Sequence, residues 1–491
     1  MKNLKSNIHQ GVSGIRKILL LMLAGVSLAA AEKPNVVVFL VDDLGYMDIG
    51  ANNPDCFYET PNIDALAKEA MRFTDGYAAN PVCSPTRYSL MTGKYPTRVG
   101  ATNFFPKGGG AMRSGKFNPA PLIREMPKDE ITLANALKEQ GYATFFAGKW
   151  HLGEDEAGYP QHRGFDVNIG GYSAGGPYTG NKYFAPFKNP EIQEESPDGE
   201  HLPARLAKET VGFIERNKDT PFLTYLSFYS VHTPLIGRPD LVKKYQEKAK
   251  KVSGKEFDKI TTASGKTGKV RILQKHAVYA AMVEAMDQAV GDVVNALKDN
   301  GEWENTIIVF TSDNGGLSTS EGWPTSNLPL NGGKGWVNEG GIREPWIIRY
   351  PGVTVPGSEN DDPICSIDLF PTLAAAAGYE TKHEIDGLDL FPTLKGEPLG
   401  RNALYWHYPH YSNQQGIPGG AIRMGKYKLV ENYEDGSVAL FDLEADIGEK
   451  KDLAASQPER VSEMRGMLHD WYKEVDAKFL QPKGGNEPWR P

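Results

Sequence analysis

The feature that most constrains the fold is an apolar run, Asn35-Val-Val-Val-Phe-Leu-Val41, that stops at two adjacent acids, Asp42 and Asp43. A β-branched run without polar alternation predicts a strand buried on both faces, as in parallel sheets covered by helices. The pattern recurs. Tyr142 to Ala147 runs into Gly148-Lys149-Trp150-His151, and Phe222 to Phe228 runs into a segment carrying His232-Thr-Pro234. Thr306 to Thr311 is followed by Asp313-Asn314-Gly-Gly316. Between these runs the spacing predicts helices over 61–70, with a proline near the start, over Thr132–Gln140 ahead of Gly141, over Leu202–Asn217 and over about 272–299. Alternating strands and helices predict an α/β fold with a largely parallel central sheet flanked by helices. Four polar clusters then lie at the carboxyl ends of four strands, the edge where open α/β sheets bind ligands.

The texture changes after a helical stretch over Asp368–Gly378 and a Gly- and Pro-rich linker over Asp386–Gly400. Ala421–Val430 and Ser437–Asp442 flank a Glu-Asp-Gly turn, a hairpin signal, and Pro458 to Phe479 reads as an amphipathic helix. A smaller C-terminal α+β domain with an antiparallel sheet is expected over 399–491, behind a main domain over 32–398. Residues 1–31 read as a secretory signal, with Lys2, Lys5, Arg16 and Lys17 ahead of a short apolar stretch and Ala29-Ala30-Ala31. The chain is therefore expected to be exported, periplasmic or secreted, without stable membrane insertion. Loss of those four cations takes the formal charge from −8 to −12. An acidic chain argues against a nucleic-acid partner. Only Cys56, Cys83 and Cys365 are present, too few for a disulfide scaffold; Cys56 and Cys365 could pair.

Asp42, Asp43, Asp313 and Asn314 are hard oxygen donors at two strand ends, the ligand type a divalent cation such as Ca²⁺ takes, whereas zinc favours histidine and cysteine. Cys83 lies in Asn80-Pro-Val-Cys-Ser-Pro-Thr-Arg-Tyr-Ser-Leu-Met-Thr-Gly93, in which Pro85 and the residues after it predict a helix with position 83 at its N-terminus, where negative charge is favoured. This Cys-x-Pro-x-Arg run, with Asp-Asp-Leu-Gly, Gly-Lys-Trp-His-Leu-Gly, His-Thr-Pro, Ser-Asp-Asn-Gly-Gly and Gly-Gly-Lys-Gly in that order, resembles the formylglycine-dependent (type I) sulfatases of the alkaline phosphatase superfamily.

The resemblance implies an alkaline-phosphatase-like fold and hydrolysis of sulfate esters, on sulfated carbohydrates or aryl sulfates. It implies that a maturation enzyme oxidises Cys83 to 3-oxoalanine (formylglycine), whose hydrate attacks sulfur beside one Ca²⁺ held by Asp42, Asp43, Asp313 and Asn314, with position 83 also at the metal. Arg87 matches the arginine that holds the hydrate and its neighbouring carboxylates. Lys149 and Lys334 match sulfate clamps, His232 the acid for the leaving oxygen, and His151 the base that frees sulfate from the sulfated hydrate. A geminal diol can expel sulfate by internal elimination, which a serine ester cannot. In the C-terminal part, His407, His410 and Arg423, within an aromatic-rich stretch, are expected to contact a sugar, while Trp406 reads as a seal between domains. Two other readings stand beside this one: a phosphonate or phosphate ester hydrolase on the same frame, and a non-catalytic binder of sulfated glycans with an unmodified Cys83. The lysine-rich stretch from Lys243 to Arg271 reads as a solvated insertion.

Overall fold

A computed structural model describes residues 33–105, 113–192, 196–261 and 267–491; the expected signal segment lies outside the described residues. The apolar run forms a wholly buried strand, β1 (Asn35–Val41). It is followed by β2 (Met71–Phe73), β3 (Gly76–Tyr77), β4 (Ala143–Gly148), β5 (Val167–Ile169) and β6 (Phe222–Ser227). Next come β7 (Phe257–Thr261), β8 (Thr267–Arg271), β9 (Thr306–Ser312), β10 (Trp346–Arg349), β11 (Ser358–Asn360) and β12 (Ile364–Cys365). The last four are β13 (Leu404–Tyr408), β14 (Gly419–Met424), β15 (Tyr427–Asn432) and β16 (Val438–Asp442).

The main sheet runs β11-β2-β10-β9-β1-β6-β4-β5, with β1, β4, β5, β6 and β9 mutually parallel and β10 antiparallel to both its neighbours. Both faces are covered. Val37, Phe39 and Val41 pack with the helices Leu202–Arg216 and Ala277–Asp299, whereas Val36, Val38 and Leu40 pack with Cys83–Thr92, Leu133–Glu139 and Leu369–Ala376. Alternate side chains of one strand thus feed two cores, which is why β1 could carry no polar alternation.

The helix expected from about 272 begins at Ala277, because His276 caps it by accepting the amide of Tyr279 at 3.2 Å. In the C-terminal part, Ala421–Val430 is not one strand. Gly425, at φ 54°, turns the chain between β14 and β15, and β13 to β16 form a four-stranded antiparallel sheet against the helix Pro458–Glu474. This sheet shares its core with Tyr77, Ala79, Val82 and Ile342 of the main body, and Trp406 donates its indole N–H to the carbonyl of Ala78 at 2.8 Å, sealing that contact. The sulfurs of Cys56, Cys83 and Cys365 are all free. The described part of the lysine-rich stretch is largely exposed or half-buried, with Tyr245 and Arg271 buried, and Lys244 pairs with Glu59 and Glu284. Among the described residues no helix is long and apolar enough to cross a membrane.

Candidate active site

The loops after β1, β4, β6 and β9 meet at one rim. The loops after β1 and β6 are tied together by Asp42 N donating to Ser230 O (2.9 Å) and Val231 N donating to Asp42 O (2.7 Å). Asp313 N donates to Val41 O at 3.1 Å, and Lys149 N to Ser227 O at 2.8 Å. Gly148, at φ 102°, makes the last contact possible: a Cβ there would lie 1.8 Å from the carbonyl oxygen of Ser227. Asp43 (φ 63°) and His151 (φ 58°) sit in the left-handed region that a Cβ disfavours, strain of the kind held at functional sites. Lys334 arrives on a loop whose Gly335 N donates to Pro81 O at 2.8 Å, beside Cys83.

These ties gather Asp42, Asp43, Cys83, Arg87, Lys149, His151, His232, Asp313, Asn314 and Lys334, all buried. Cys83 opens the helix Cys83–Thr92, whose N-terminus carries no side-chain cap. Its sulfur and carboxylate oxygens of Asp42 and Asp313 lie within 4.8 Å of one another. The shortest ion pairs match one cation to one carboxylate: Lys149 Nζ to Asp42 Oδ2 (2.6 Å), Lys334 Nζ to Asp43 Oδ1 (2.6 Å) and Arg87 Nη2 to Asp313 Oδ2 (2.7 Å), with Arg87 Nη2 also 3.7 Å from Asp42 Oδ1. Arg87 also donates from Nε to Asp313 Oδ2 (2.8 Å) and from Nη1 to Lys149 O (2.8 Å) and Ser227 Oγ (2.7 Å).

Burial, reinforced by the nearby Asp313 and Asp43, holds the Asp42 carboxyl well above the usual range despite Lys149. Asp43 moves the other way, because Lys334, His232 and Lys149 together outweigh its burial. Burial pushes the Cys83 thiol up although Lys149 and Lys334 oppose it. A thiol kept protonated is a poor nucleophile. Burial first, then the neighbouring lysine, pulls His151 well below the ordinary range and His232 down to about 3. His151 Nε2 lies 3.1 Å from the Phe105 carbonyl and so bears the proton, leaving Nδ1 bare and, among the described residues, without a hydrogen-bond partner. His232 is oriented the opposite way: Nδ1 faces Thr233 O at 2.7 Å, and Nε2 looks toward Asp43 Oδ2 at 3.7 Å.

Among the described residues, three buried oxygens at this rim have no hydrogen-bond donor: Asp42 Oδ1, Asp43 Oδ2 and Asn314 Oδ1. Unsatisfied buried acceptors cost free energy, and an all-oxygen set suits a hard divalent cation. The residues present therefore fit such an ion. Above them opens a cavity of about 280 Å³ with Cys83, His151, His232 and Lys334 in its lining, together with Phe104, Phe105, Tyr178, Glu321, Asn413 and Gln414.

The structure does not bring His407, His410 or Arg423 to this cavity. His407 is enclosed between Tyr433 (2.6 Å from Nδ1) and the Lys478 carbonyl (2.9 Å from Nε2). His410 bonds Thr102 at 2.8 Å, and Arg423 pairs with Asp75 at 2.5 Å, both buried. His410 and Arg423 secure the contact between the C-terminal sheet and the main body, whereas His407 is packed inside the C-terminal part. The pocket residues that sequence reasoning missed, chiefly Glu321, Tyr178, Asn413 and Gln414, lie in loops without strand or helix periodicity; the only local signal was Gly322 beside Trp323.

A family model described as Sulfatase matches residues 34–379, and one described as N-sulphoglucosamine sulphohydrolase, C-terminal, matches residues 333–478. A Sulfatase of Formosa agariphila is 32% identical over 90% of this chain and 89% of that protein. Arylsulfatase A of Homo sapiens is 32% identical over 84% of this chain and 77% of that protein. Among solved structures, Ps i-CgsB in complex with k-i-k-neocarrahexaose superposes with a TM-score of 0.74 at 30% identity, over 90% of this chain and 93% of that one.

Proposed function

The chain belongs to the sulfatase family, enzymes that hydrolyse sulfuric esters, and from that premise we propose that it desulfates a carbohydrate with an aldehyde hydrate formed at position 83 beside one calcium ion. The observation that carries this reading is the position of Cys83: a thiol held protonated, at an uncapped helix N-terminus, within 4.8 Å of two carboxylates whose neighbours include unsatisfied oxygens. Oxidation by a maturation enzyme would turn an inert thiol into a carbonyl whose hydrate is a nucleophile with a built-in route for releasing sulfate.

Asp42, Asp43, Asp313 and Asn314 would hold the calcium, which polarises the sulfate and makes a neighbouring hydroxyl more acidic. Arg87 fixes the Asp313 carboxylate and stays charged, because Asp313 and Asp42 outweigh its burial. Lys149 and Lys334 offer ammonium groups to sulfate oxygens in a water-poor site, where charge stabilisation is strong. Lys334 remains protonated because Asp43 and its other anionic neighbours outweigh burial. His232 turns Nε2 toward the site; a bound sulfate monoester places negative charge beside it, which favours the protonated ring needed to supply the leaving oxygen with a proton. His151, with Nδ1 bare, is the base that takes a proton from a hydroxyl at position 83.

The sugar assignment draws support from the aromatic and polar walls of the cavity and from the relative in complex with neocarrahexaose. Export through residues 1–31 belongs to the same reading. The test compares protein made with and without a formylglycine-generating enzyme. The peptide spanning Cys83 is weighed and treated with a hydrazide, and rates are taken on an aryl sulfate, an aryl phosphate, a phosphonate ester and a panel of sulfated sugars. Aldehyde formation should accompany sulfate release. A plain thiol in fully active protein, or faster cleavage of the phosphorus esters, would defeat the proposal.

A further inference from the structure

Glu321 is a charged residue in the cavity that the chemistry above does not use. It stands on Ser320-Glu321-Gly322-Trp323, in which Glu321 (φ 52°), Gly322 (φ 93°) and Trp323 (φ 47°) are all left-handed. The turn is held from both sides. Trp323 N donates to Ser320 O at 2.9 Å, and the Trp323 indole donates to Lys269 O at 3.0 Å. The carboxylate is held too. Gln414 Nε2 donates to Glu321 Oε1 at 2.5 Å, and Asn413 Nδ2 donates to the same oxygen. Gln414 is itself buried, its backbone oxygen accepting from Thr319 Oγ1 (2.7 Å) and Trp336 Nε1 (2.8 Å). One carboxylate oxygen is thus fixed by two amides, and the carboxylate adds to the negative field around Lys334. The same cavity is lined by Tyr178 and Phe104, which are 53% and 36% exposed, unusual for large apolar side chains in this molecule.

Exposed aromatic rings sharing a cavity with a carboxylate oriented by amides suit one ligand chemistry. A pyranose offers an apolar C–H face for stacking and a belt of hydroxyl donors, and a carboxylate accepts from hydroxyls strongly. A second anionic group on the ligand would meet Glu321 with like charge. We infer that Glu321, oriented by Asn413 and Gln414, is the specificity residue for the alcohol half of the substrate, accepting hydroxyls next to the sulfated carbon of a sugar ring stacked on Tyr178 and Phe104. The inference rests on the sulfatase reading and deepens it: the substrate is a sugar whose ring carries free hydroxyls near the ester and no second charge at that position.

The test uses the matured full chain, 4-nitrophenyl sulfate and a panel of monosulfated hexoses, each with the deoxy analogue lacking a neighbouring hydroxyl. Glu321→Gln keeps the shape and removes the charge. Losing a hydrogen bond to a charged acceptor lowers kcat/KM on the preferred sugar by about tenfold or more, mainly through KM, and leaves the aryl sulfate within about threefold. The deoxy analogue should cost the wild type as much as the substitution does, and the two losses should not add. Equal losses on both substrates would mark Glu321 as structural and overturn the inference, as would no loss on either. Wild-type turnover of the aryl sulfate with none of the sugars would also overturn it, with the sulfatase reading intact; turnover of neither class would take down that reading as well.

Discussion

Replacing Arg87 by methionine tests the arrangement of the site by stability alone. The guanidinium is buried and is shared among Asp313, Ser227 and the Lys149 carbonyl, with Asp42 Oδ1 at 3.7 Å. Methionine fills much of the volume but leaves Asp313 buried without its ion-pair partner. Breaking one side of a buried pair costs about 3–5 kcal/mol. Spread over a chain of this length, that lowers the melting temperature by roughly 3–5 °C. The electrostatics then demand a second effect. Without Arg87 the three carboxylates face only Lys149 and Lys334, so a divalent cation enters a site with one more uncompensated negative charge. At an effective dielectric near 20, such a charge about 5 Å away favours the cation by several kcal/mol before solvation offsets it. Urea unfolding of wild type and Arg87→Met is to be measured in chelator and in excess calcium. The gap should be about 3–5 kcal/mol in chelator and narrow by at least about 1 kcal/mol in calcium. A gap below about 1 kcal/mol in chelator, or one that widens with calcium, would refute the reasoning.

Three further expectations follow from buried groups. Gly148→Ala puts a Cβ 1.8 Å from Ser227 O at a φ of 102°, so it should displace Lys149 and cut activity more than about tenfold, read from kcat/KM on an aryl sulfate; near-normal turnover would contradict the packing. Lys428, whose side chain is 0% exposed, pairs with Glu339 and Glu449 at 2.9 and 3.1 Å, so Lys428→Met should cost about 3–5 kcal/mol in urea unfolding by loosening the segment that follows Lys334. Burial holds His407 at about 4 in the folded protein against an ordinary 6.5, so the unfolded chain takes up the proton first as pH falls. The stability this neutral ring contributes is complete above 6.5 and is lost between 6.5 and 4, about 2 kcal/mol of it by pH 5. His407→Gln should flatten the stability-versus-pH curve by that amount, and an unchanged slope would refute the assignment.

The polar rim was legible because buried parallel strands write an unmistakable local signal, and the first residues beyond each strand have little choice of position. Asp42, Lys149 and Asp313 could be placed from chain order alone, since the strand before each is continuous and apolar. The rest of the pocket lining was not legible. Glu321 and Gln414 lie in irregular loops that meet only through tertiary bonds, and neither loop has a period that betrays its neighbour. His407, His410 and Arg423 failed for a different reason. Aromatic and histidine-rich texture serves a sugar platform and a buried seam equally well, and what separates them is enclosure by Tyr433, Thr102 and Asp75 from distant parts of the chain.

The one-to-one pairing of charge carries a thermodynamic consequence of its own. Lys149 and Lys334 are already engaged by Asp42 and Asp43, so neither is free to receive an anion without loosening its hold on a carboxylate. A cation arriving alone takes those carboxylates and strands two buried ammonium groups; an anion arriving alone takes the ammonium groups and strands the carboxylates. Arriving together, each supplies the partner the other removes. Calcium and a sulfate group should therefore bind with positive coupling, and linkage requires the coupling to be the same in either order. Inorganic sulfate should tighten calcium binding at least about fivefold in isothermal titration, and calcium should tighten sulfate by the same factor. Lys334→Met should shrink both factors together, because one of the two stranded ammonium groups is gone. Independent binding of the two ions would mean that the paired charges do not act as a single exchange site.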